Sequence, residues 1–343
     1  MITLKFGGTS MGNARRILDS ADIMIGRAEK DRISVVVSAV AGISNKLQES
    51  IDKTVTGAVP QEFITAIKDT HSTICTEIAQ SLNGFDPKAV MNDLADVFDE
   101  YERLLNAVSA FGECPLSVHC RIMGIGERLS SPIVAAVLKA QGQSVCLLDS
   151  RKYIYTTGNQ AQGDPDMPRT MEALAAVRDG RVGAGSRILL FPGFICSWKN
   201  GSMGLLGRNG SDFSAALVGV GLGASKVEFW TDVDGIYTAD PRIVPDSILV
   251  EDMTYEEAME LSFFGSKILH PKTLAPLQAI GIEAWSLNSH NPSARGTRIG
   301  KGPFENRGKT SICGISYIKH VSMISVGGSL MRGRTGMASK IFS

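Results

Sequence analysis

The stretch Ile2-Thr3-Leu4-Lys5-Phe6-Gly7-Gly8-Thr9-Ser10 decides the fold. Ile2–Phe6 reads as a short strand, the glycine pair interrupts it, and a helix pattern opens near Asn13, read as its N-cap. Ile17, Ala21, Met24 and Ala28 then recur at spacings of four, three and four, which puts them on one helical face. Next comes Ile33–Val40, a β-branched run suited to a buried parallel strand, followed by Ala41-Gly42-Ile43-Ser44-Asn45 and another helix pattern. Strand, glycine loop, helix, strand is the βαβ grammar of an α/β sheet.

Outward from that unit the pattern changes. From about Leu47 to Gly112 it becomes amphipathic helix, with Val90, Leu94, Val97, Tyr101, Leu104 and Val108 stepping by three or four, which predicts helical hairpins covering the sheet. Alternation then resumes with a helix after Gly126, strands at Val145–Leu148 and Ile188–Phe191, a helix over Ser211–Leu222 and a strand at Val227–Trp230. Thr254–Glu257 fits a capping box opening a helix to Phe264. Pro271 and Gly281 bound a further helix before a strand at Ile282–Leu287. Asn291–Arg307 mixes proline and glycine with polar residues and reads as a linker or exposed loop. Beyond it Val321–Val326 is strand-like and Gly336–Phe342 begins a helix pattern, a tail too short to bury its own core.

Composition narrows the function. A chain of 343 residues, 43% apolar and 20% charged, supports a packed core in one large domain or two. Lys plus Arg and Asp plus Glu are both 35, so no bulk basic field is available for nucleic acid. The longest apolar runs, Ile33–Ala41 and Ile188–Ile195, are far shorter than the roughly 20 residues of a membrane helix. The N-terminus runs straight into a strand without a secretory pattern. The expectation is a soluble, unexported, cytoplasmic chain with no membrane or nucleic-acid partner. Six cysteines without a Cys-x-x-Cys pair and five unpaired histidines predict buried thiols and no metal-ligand set from the protein.

Five places carry chemistry. Lys5 lies two residues before Gly7-Gly8, so an ammonium sits beside backbone N–H groups free to turn toward an anion, with a helix N-terminus behind them. This is phosphate-binding logic but not a Walker A motif, because Asn13 stands where that motif has lysine. Pro303–Thr310 ends like a Walker A yet has Pro303 for its first glycine, and reads as a basic loop. Gly219–Gly223 lacks dinucleotide-binding spacing and reads as a helix end. In Leu206–Ser214 an arginine, an amide, a hydroxyl and a carboxylate meet at a glycine turn. There Arg208 can clamp a carboxylate and Ser211 hold another oxygen, the plainer reading being a capping turn with Asp212 on the helix dipole. Trp230–Arg242 ends a strand in acidic and hydroxyl-bearing loops at the carboxyl edge, where α/β sheets bind ligands; its Asp-x-Asp-Gly lacks the downstream glutamate of a calcium loop. Lys267, in Gly265–Pro271, can bring a second cation to phosphates. Gly124–Ser130 puts the charged pair Glu127-Arg128 at a helix start, where a surface glutamate is the plain reading.

In this order, Lys5–Ser10, Ser38–Asn45, Gly126–Ser130, Gly193-Phe194-Ile195, Gly207–Asp212, Thr231–Arg242 and Gly265–Pro271, the chain resembles the aspartokinases of the amino acid kinase superfamily. The resemblance covers residue 1 to about residue 300, and the tail is similar to the beginning of the family's regulatory ACT region. It implies an α/β three-layer sandwich with a mainly parallel central sheet. It also implies a catalytic domain over 1–300 with a helical insertion at about 47–112, then a linker and incomplete ACT element over 301–343. The implied reaction is phosphorylation of the L-aspartate β-carboxylate by ATP with Mg²⁺, giving 4-phospho-L-aspartate on the way to lysine, threonine and methionine.

By the same resemblance, Lys5, Asp212 and Lys267 are catalytic, Asp212 orienting rather than removing a proton. Lys5, Gly7, Gly8, Thr9 and Ser10 hold the transferring phosphate, and Thr231, Asp232, Tyr237, Asp240, Arg242 and Lys267 bind the nucleotide. Ser38, Ser44, Glu127, Phe194, Arg208, Ser211 and Asp212 line the amino-acid site. A homo-oligomer is implied, weakened where the ACT region is incomplete, without lysine or threonine inhibition at a proper ACT site. Two positions depart from the commoner pattern. Asn209 replaces a glycine, as in the bifunctional aspartokinase–homoserine dehydrogenases, and Ser44 replaces a threonine but keeps the hydroxyl. A kinase of glutamate or acetylglutamate, and a non-catalytic amino-acid sensor of the same fold, are the competing readings.

Overall fold

The computed structural model describes residues 1–263, 269–304 and 313–316. β1 (Ile2–Phe6) and β2 (Ile33–Val37) lie side by side in parallel, Leu4 opposite Val35, joined through α1 (Ala14–Ala28). Asn13 caps α1 as expected, its side chain accepting from the Arg16 N–H at 3.0 Å. β2 stops at Val37 rather than Val40, because Ser38–Gly42 turn away to form a wall of the cavity described below.

Six helices follow without a strand: α2 (Ile43–Val55), α3 (Pro60–Ser81), α4 (Pro87–Asp93), α5 (Ala95–Phe111), α6 (Leu116–Met123) and α7 (Ile125–Ala140). The periodic residues from Val90 to Val108 include buried Val90, Leu94, Tyr101, Leu104 and Val108, but the helix breaks at Leu94 between α4 and α5. The second half adds β3 (Val145–Leu147), β4 (Thr156–Asn159), β5 (Gln162–Pro165), α8 (Met167–Arg178), β6 (Ile188–Pro192), β7 (Ile195–Ser197) and β8 (Met203–Leu205). It continues through α9 (Gly210–Leu222), β9 (Lys226–Thr231), β10 (Asp252–Thr254), α10 (Tyr255–Phe263), α11 (Pro271–Ile280), β11 (Glu283–Asn288) and β12 (Thr297–Gly300).

Among the described residues the main sheet has eight strands in the order β10-β12-β11-β9-β1-β2-β6-β3. It is parallel from β11 to β3, with β12 antiparallel to β11 and β10 parallel to β12. Successive β2 side chains serve opposite faces: Val35 and Val37 pack with α1, α7 and the helical run, Val36 with α8, α9 and α11. This is the expected three-layer α/β architecture. The capping box also forms, with Thr254 N–H donating to Glu257 Oε2 at 2.9 Å and Glu257 N–H to Thr254 Oγ1 at 3.2 Å. Pro271 opens α11 and Gly281, at φ 75°, closes it.

The linker reading of Asn291–Arg307 is corrected by β12. Thr297 and Ile299 are fully buried and alternate with partly exposed Arg298, a strand too short to stand out among flanking glycines. The hairpins β4–β5 and β7–β8 carry no sequence signal either, being three or four residues a strand. Cys75, Cys120 and Cys196 are buried and Cys114, Cys146 and Cys313 partly so. Among the described residues no helix is long and apolar enough to cross a membrane. The tail patterns at Val321–Val326 and Gly336–Phe342, most of the Pro303–Thr310 loop and Lys267 lie outside the described residues.

Candidate active site

The end of β1, the loop after β2, the first turn of α7, the β6–β7 loop and the turn before α9 enclose a cavity of about 380 Å³. At its floor the Lys5 ammonium lies 2.6 Å from Asp212 Oδ1, with the two side chains only 10% and 16% exposed. Lys5 is fixed by its strand, flanked by β2 and β9. Gly7 leaves it room, since a Cβ there would sit 3.3 Å from Lys5 Nζ. The Gly7 N–H donates to Trp230 O at 3.3 Å, and Gly8–Met11 close a single 3₁₀ turn leading toward α1.

Glu127 forms another wall. It is 3% exposed, so the surface reading is corrected, and its neighbour Arg128 pairs with Glu100 at 2.7 Å instead. The cause is Gly126, where a Cβ would lie 2.7 Å from Ala39 Cβ; the start of α7 therefore presses on the loop after β2. Ala39 N–H donates to Glu127 Oε1 at 3.3 Å, while Oε2 is buried without a partner. Burial pushes this carboxyl up to about 7, against smaller lowering effects of backbone N–H groups and the Lys5 charge. Ser130 Oγ straps the loop further by donating to Ser38 O at 2.8 Å.

Phe194 and Asn209 both have left-handed backbones, with φ of 65° and 57°. Asparagine tolerates that region better than other side chains, which accounts physically for its standing where the resemblance leads one to expect glycine. Phe194 is held there by its surroundings: its N–H donates to Ser214 Oγ at 2.9 Å and its carbonyl accepts from Leu206 N–H at 3.0 Å. A Cβ at Gly210 would lie 2.6 Å from the Phe194 ring, and one at Gly193 would lie 2.7 Å from Ser211 Cβ. The two turns interlock through those glycines.

The cavity thus brings together Lys5, Gly8, Ser38, Ser44, Glu127, Phe194, Ser211 and Asp212. Arg208 lies between the lining residues Gly207 and Asn209 but is exposed, and its side chain is not part of the wall. Thr9 is exposed and Ser10 fully buried. Thr231, the last residue of β9, and Asp232, Tyr237, Asp240 and Arg242 on the loop that follows it lie outside the lining. There Tyr237 bridges Leu249, and Asp240 accepts from the Arg242 guanidinium at 2.9 and 2.7 Å. Sequence reasoning missed Asn288 and Ser289 at the end of β11. Asn288 Nδ2 donates to Asp234 Oδ1 at 2.8 Å, and Ser289 Oγ to Thr231 O at 2.9 Å. Their signal is polar residues closing a strand at the carboxyl edge of the sheet.

The arrangement offers an anion a lysine, a glycine turn and a helix N-terminus, and offers an ammonium a buried carboxylate oxygen. The amino acid kinase family model matches residues 1–286. The chain is 34% identical over its full length to the bifunctional aspartokinase/homoserine dehydrogenase of Haemophilus influenzae, of which it covers 41%. It is 29% identical to aspartokinase 1, chloroplastic, of Arabidopsis thaliana, over 99% of this chain and 58% of that one. Among solved structures, E. coli aspartokinase III in complex with aspartate and ADP superposes with a TM-score of 0.78 at 29% identity, over 89% of this chain and 65% of that chain. The chain therefore spans less than two thirds of the length of these relatives.

Proposed function

The chain belongs to the amino acid kinase family, and from that premise we propose that it is an aspartate kinase, moving the γ-phosphoryl group of ATP to the β-carboxylate of L-aspartate. The observation that carries this reading is the cavity's pair of opposed charges: buried Glu127 with an unpartnered oxygen, and Lys5 held on Asp212. Glu127 Oε2 accepts from the substrate's ammonium, which pairs the buried charge. Arg208 closes from the rim on the α-carboxylate, its planar fork matching two oxygens. The side chain of aspartate then points toward Lys5. The acceptor carboxylate is already ionised, so no general base is required, and Asp212 serves to aim the Lys5 ammonium at the phosphoryl oxygens. The glycine turn after β1 and the loop after β9 hold the nucleotide. Mg²⁺ enters with ATP as part of the substrate, where it spreads the phosphate charge. Among the described residues no three His, Cys, Asp or Glu side chains cluster to hold it unaided.

The relative whose structure contains aspartate and ADP supports both ligands. Trapping the acyl phosphate as a hydroxamate, with aspartate or glutamate and Mg–ATP, tests the proposal directly. Turnover with aspartate in clear preference to glutamate is expected. Preference for glutamate would move the chain to a sibling activity, and binding of aspartate without any acyl phosphate would make it a sensor.

A further inference from the structure

Ser10 closes the 3₁₀ turn after the glycine pair, and none of its surface is exposed. Its hydroxyl lies 2.7 Å from that of Ser289, the residue after β11, far away in sequence and two strands across the sheet. The Ser289 hydroxyl has one proton and donates it to Thr231 O at 2.9 Å, while the Ser289 N–H donates to the same carbonyl at 2.9 Å. The remaining bond runs in one direction only, from Ser10 Oγ to Ser289 Oγ. Behind it, Ser20 Oγ of α1 donates to Ser10 O at 3.0 Å. A directed chain of bonds therefore starts in α1, passes through the glycine turn and ends at the last carbonyl of β9. A fully buried hydroxyl is not available to a phosphate, so the contribution of Ser10 comes through the turn that it anchors.

We propose that Ser289 is a positioning residue for the nucleotide: through Ser10 it sets the glycine turn after β1 at a fixed distance from the loop that begins at Thr231. It rests on the reading that these two segments hold ATP. The phosphates would sit on the turn and the nucleoside against the loop, so the relay sets the span the nucleotide must bridge. Neither serine hydroxyl lines the cavity built on Glu127 and Phe194, which the turn enters only through Gly8.

The test uses the whole chain and the variants Ser289→Ala, Ser10→Ala and the double substitution, with folding followed by circular dichroism. ADP is titrated calorimetrically, and KM is measured for ATP and aspartate. Each single variant is expected to weaken ADP roughly five-fold, because both break the bond between the two hydroxyls, with the aspartate KM within about two-fold of the parent. Ser289→Ala loses also the Oγ bond to Thr231 O, which the Ser289 N–H still satisfies. The double variant should bind ADP no worse than the weaker single, because the hydroxyls act as one relay. Additive losses, equal weakening of aspartate, or unchanged ADP affinity in all three variants would overturn the proposal. ADP binding by the parent without acyl-phosphate formation would sink the aspartate kinase reading alone, since the titration needs no turnover. A parent chain that bound no ADP would overturn the relay as well.

Discussion

The cavity around Lys5 and the loop beyond Thr231 share one edge of one sheet but are held together in different ways. In the cavity, charges are buried and backbones interlock where a Cβ has no room: Gly126 on Ala39, Gly193 on Ser211, Gly210 on Phe194. The loop is anchored at its base, where Ile236 N–H donates to Thr297 Oγ1 at 2.8 Å, Asn288 Nδ2 donates to Asp234 and Tyr237 bridges Leu249. Further out it carries the fork between Asp240 and a 78% exposed Arg242 and leaves Ile243, Val244 and Ile248 in solvent. The contrast follows from what each half does in the proposed reaction. Electrostatic work on a moving phosphoryl group is strong only where water is excluded and the groups are already placed. A nucleotide can be gathered by exposed side chains whose ties are cheap to rearrange.

The largest effect should come from Lys5. Lys5→Met keeps most of the apolar stem but removes the charge from the cavity floor. Turnover is expected to fall about 10²–10³-fold, the scale of losing one transition-state donor, with ADP affinity changing far less. Near-normal turnover in the folded variant would break the comparison at its strongest point.

Glu127→Gln should separate function from stability. Its loss of charge is expected to raise the aspartate KM at least about ten-fold, as for a hydrogen bond to a charged group. Because the folded-state pKa is raised to about 7, the fold favours the neutral acid, and stability is lost as pH rises from the ordinary carboxyl value through about 7. At pH 8 the parent therefore carries a cost of up to about 3 kcal/mol that glutamine lacks. Thermal melts should show the variant more stable at pH 8 and the difference gone at pH 4. In the parent, the aspartate KM should climb as pH drops below about 7, and this rise should be absent from the variant. A Tm difference that is independent of pH would refute the assignment of a strained, buried carboxylate.

Gly210→Ala tests whether the interlock matters. The added methyl group meets the ring of Phe194, which is hydrogen-bonded at both its N–H and its carbonyl and has little freedom to retreat. A loss of about 1–3 kcal/mol is expected by chemical denaturation, with a higher aspartate KM. At the other end of the scale, Asp240→Ala opens an ion pair whose Arg242 end is 78% exposed and should cost less than about 1 kcal/mol, with a few-fold rise in the KM for ATP. An Asp240→Ala effect as large as that of Gly210→Ala would show that the loop is as rigid as the cavity.

Much of this was legible in advance because it depends on near neighbours along the chain. The β-branched run at Ile33–Val37 made a central strand, Asn13 and Thr254–Glu257 capped helices, and Lys5 and Gly207–Asp212 stood out because unusual residue types were concentrated there. Glu127 was harder to read. A glutamate in the first turn of a helix is ordinarily solvated, and only the contact of Gly126 with Ala39 turns this one inward. Ser289 has no local signature at all, since its role exists only because β11 lies two strands from β1.

Hydrophobic period, caps and glycine placement are properties of short segments, and they were sufficient for the α/β class, the parallel order of alternating elements and the two main clusters of candidate site residues. The tertiary structure decided which of those groups meet. Lys5 reaches Asp212, and Ser10 reaches Ser289, across a sheet whose strand order is set by burying two faces against helices, not by any local pattern. The same packing determines which charges lose their water. Burial of Glu127 and exposure of Arg208 are therefore facts of the fold, produced by close packing that no single segment encodes.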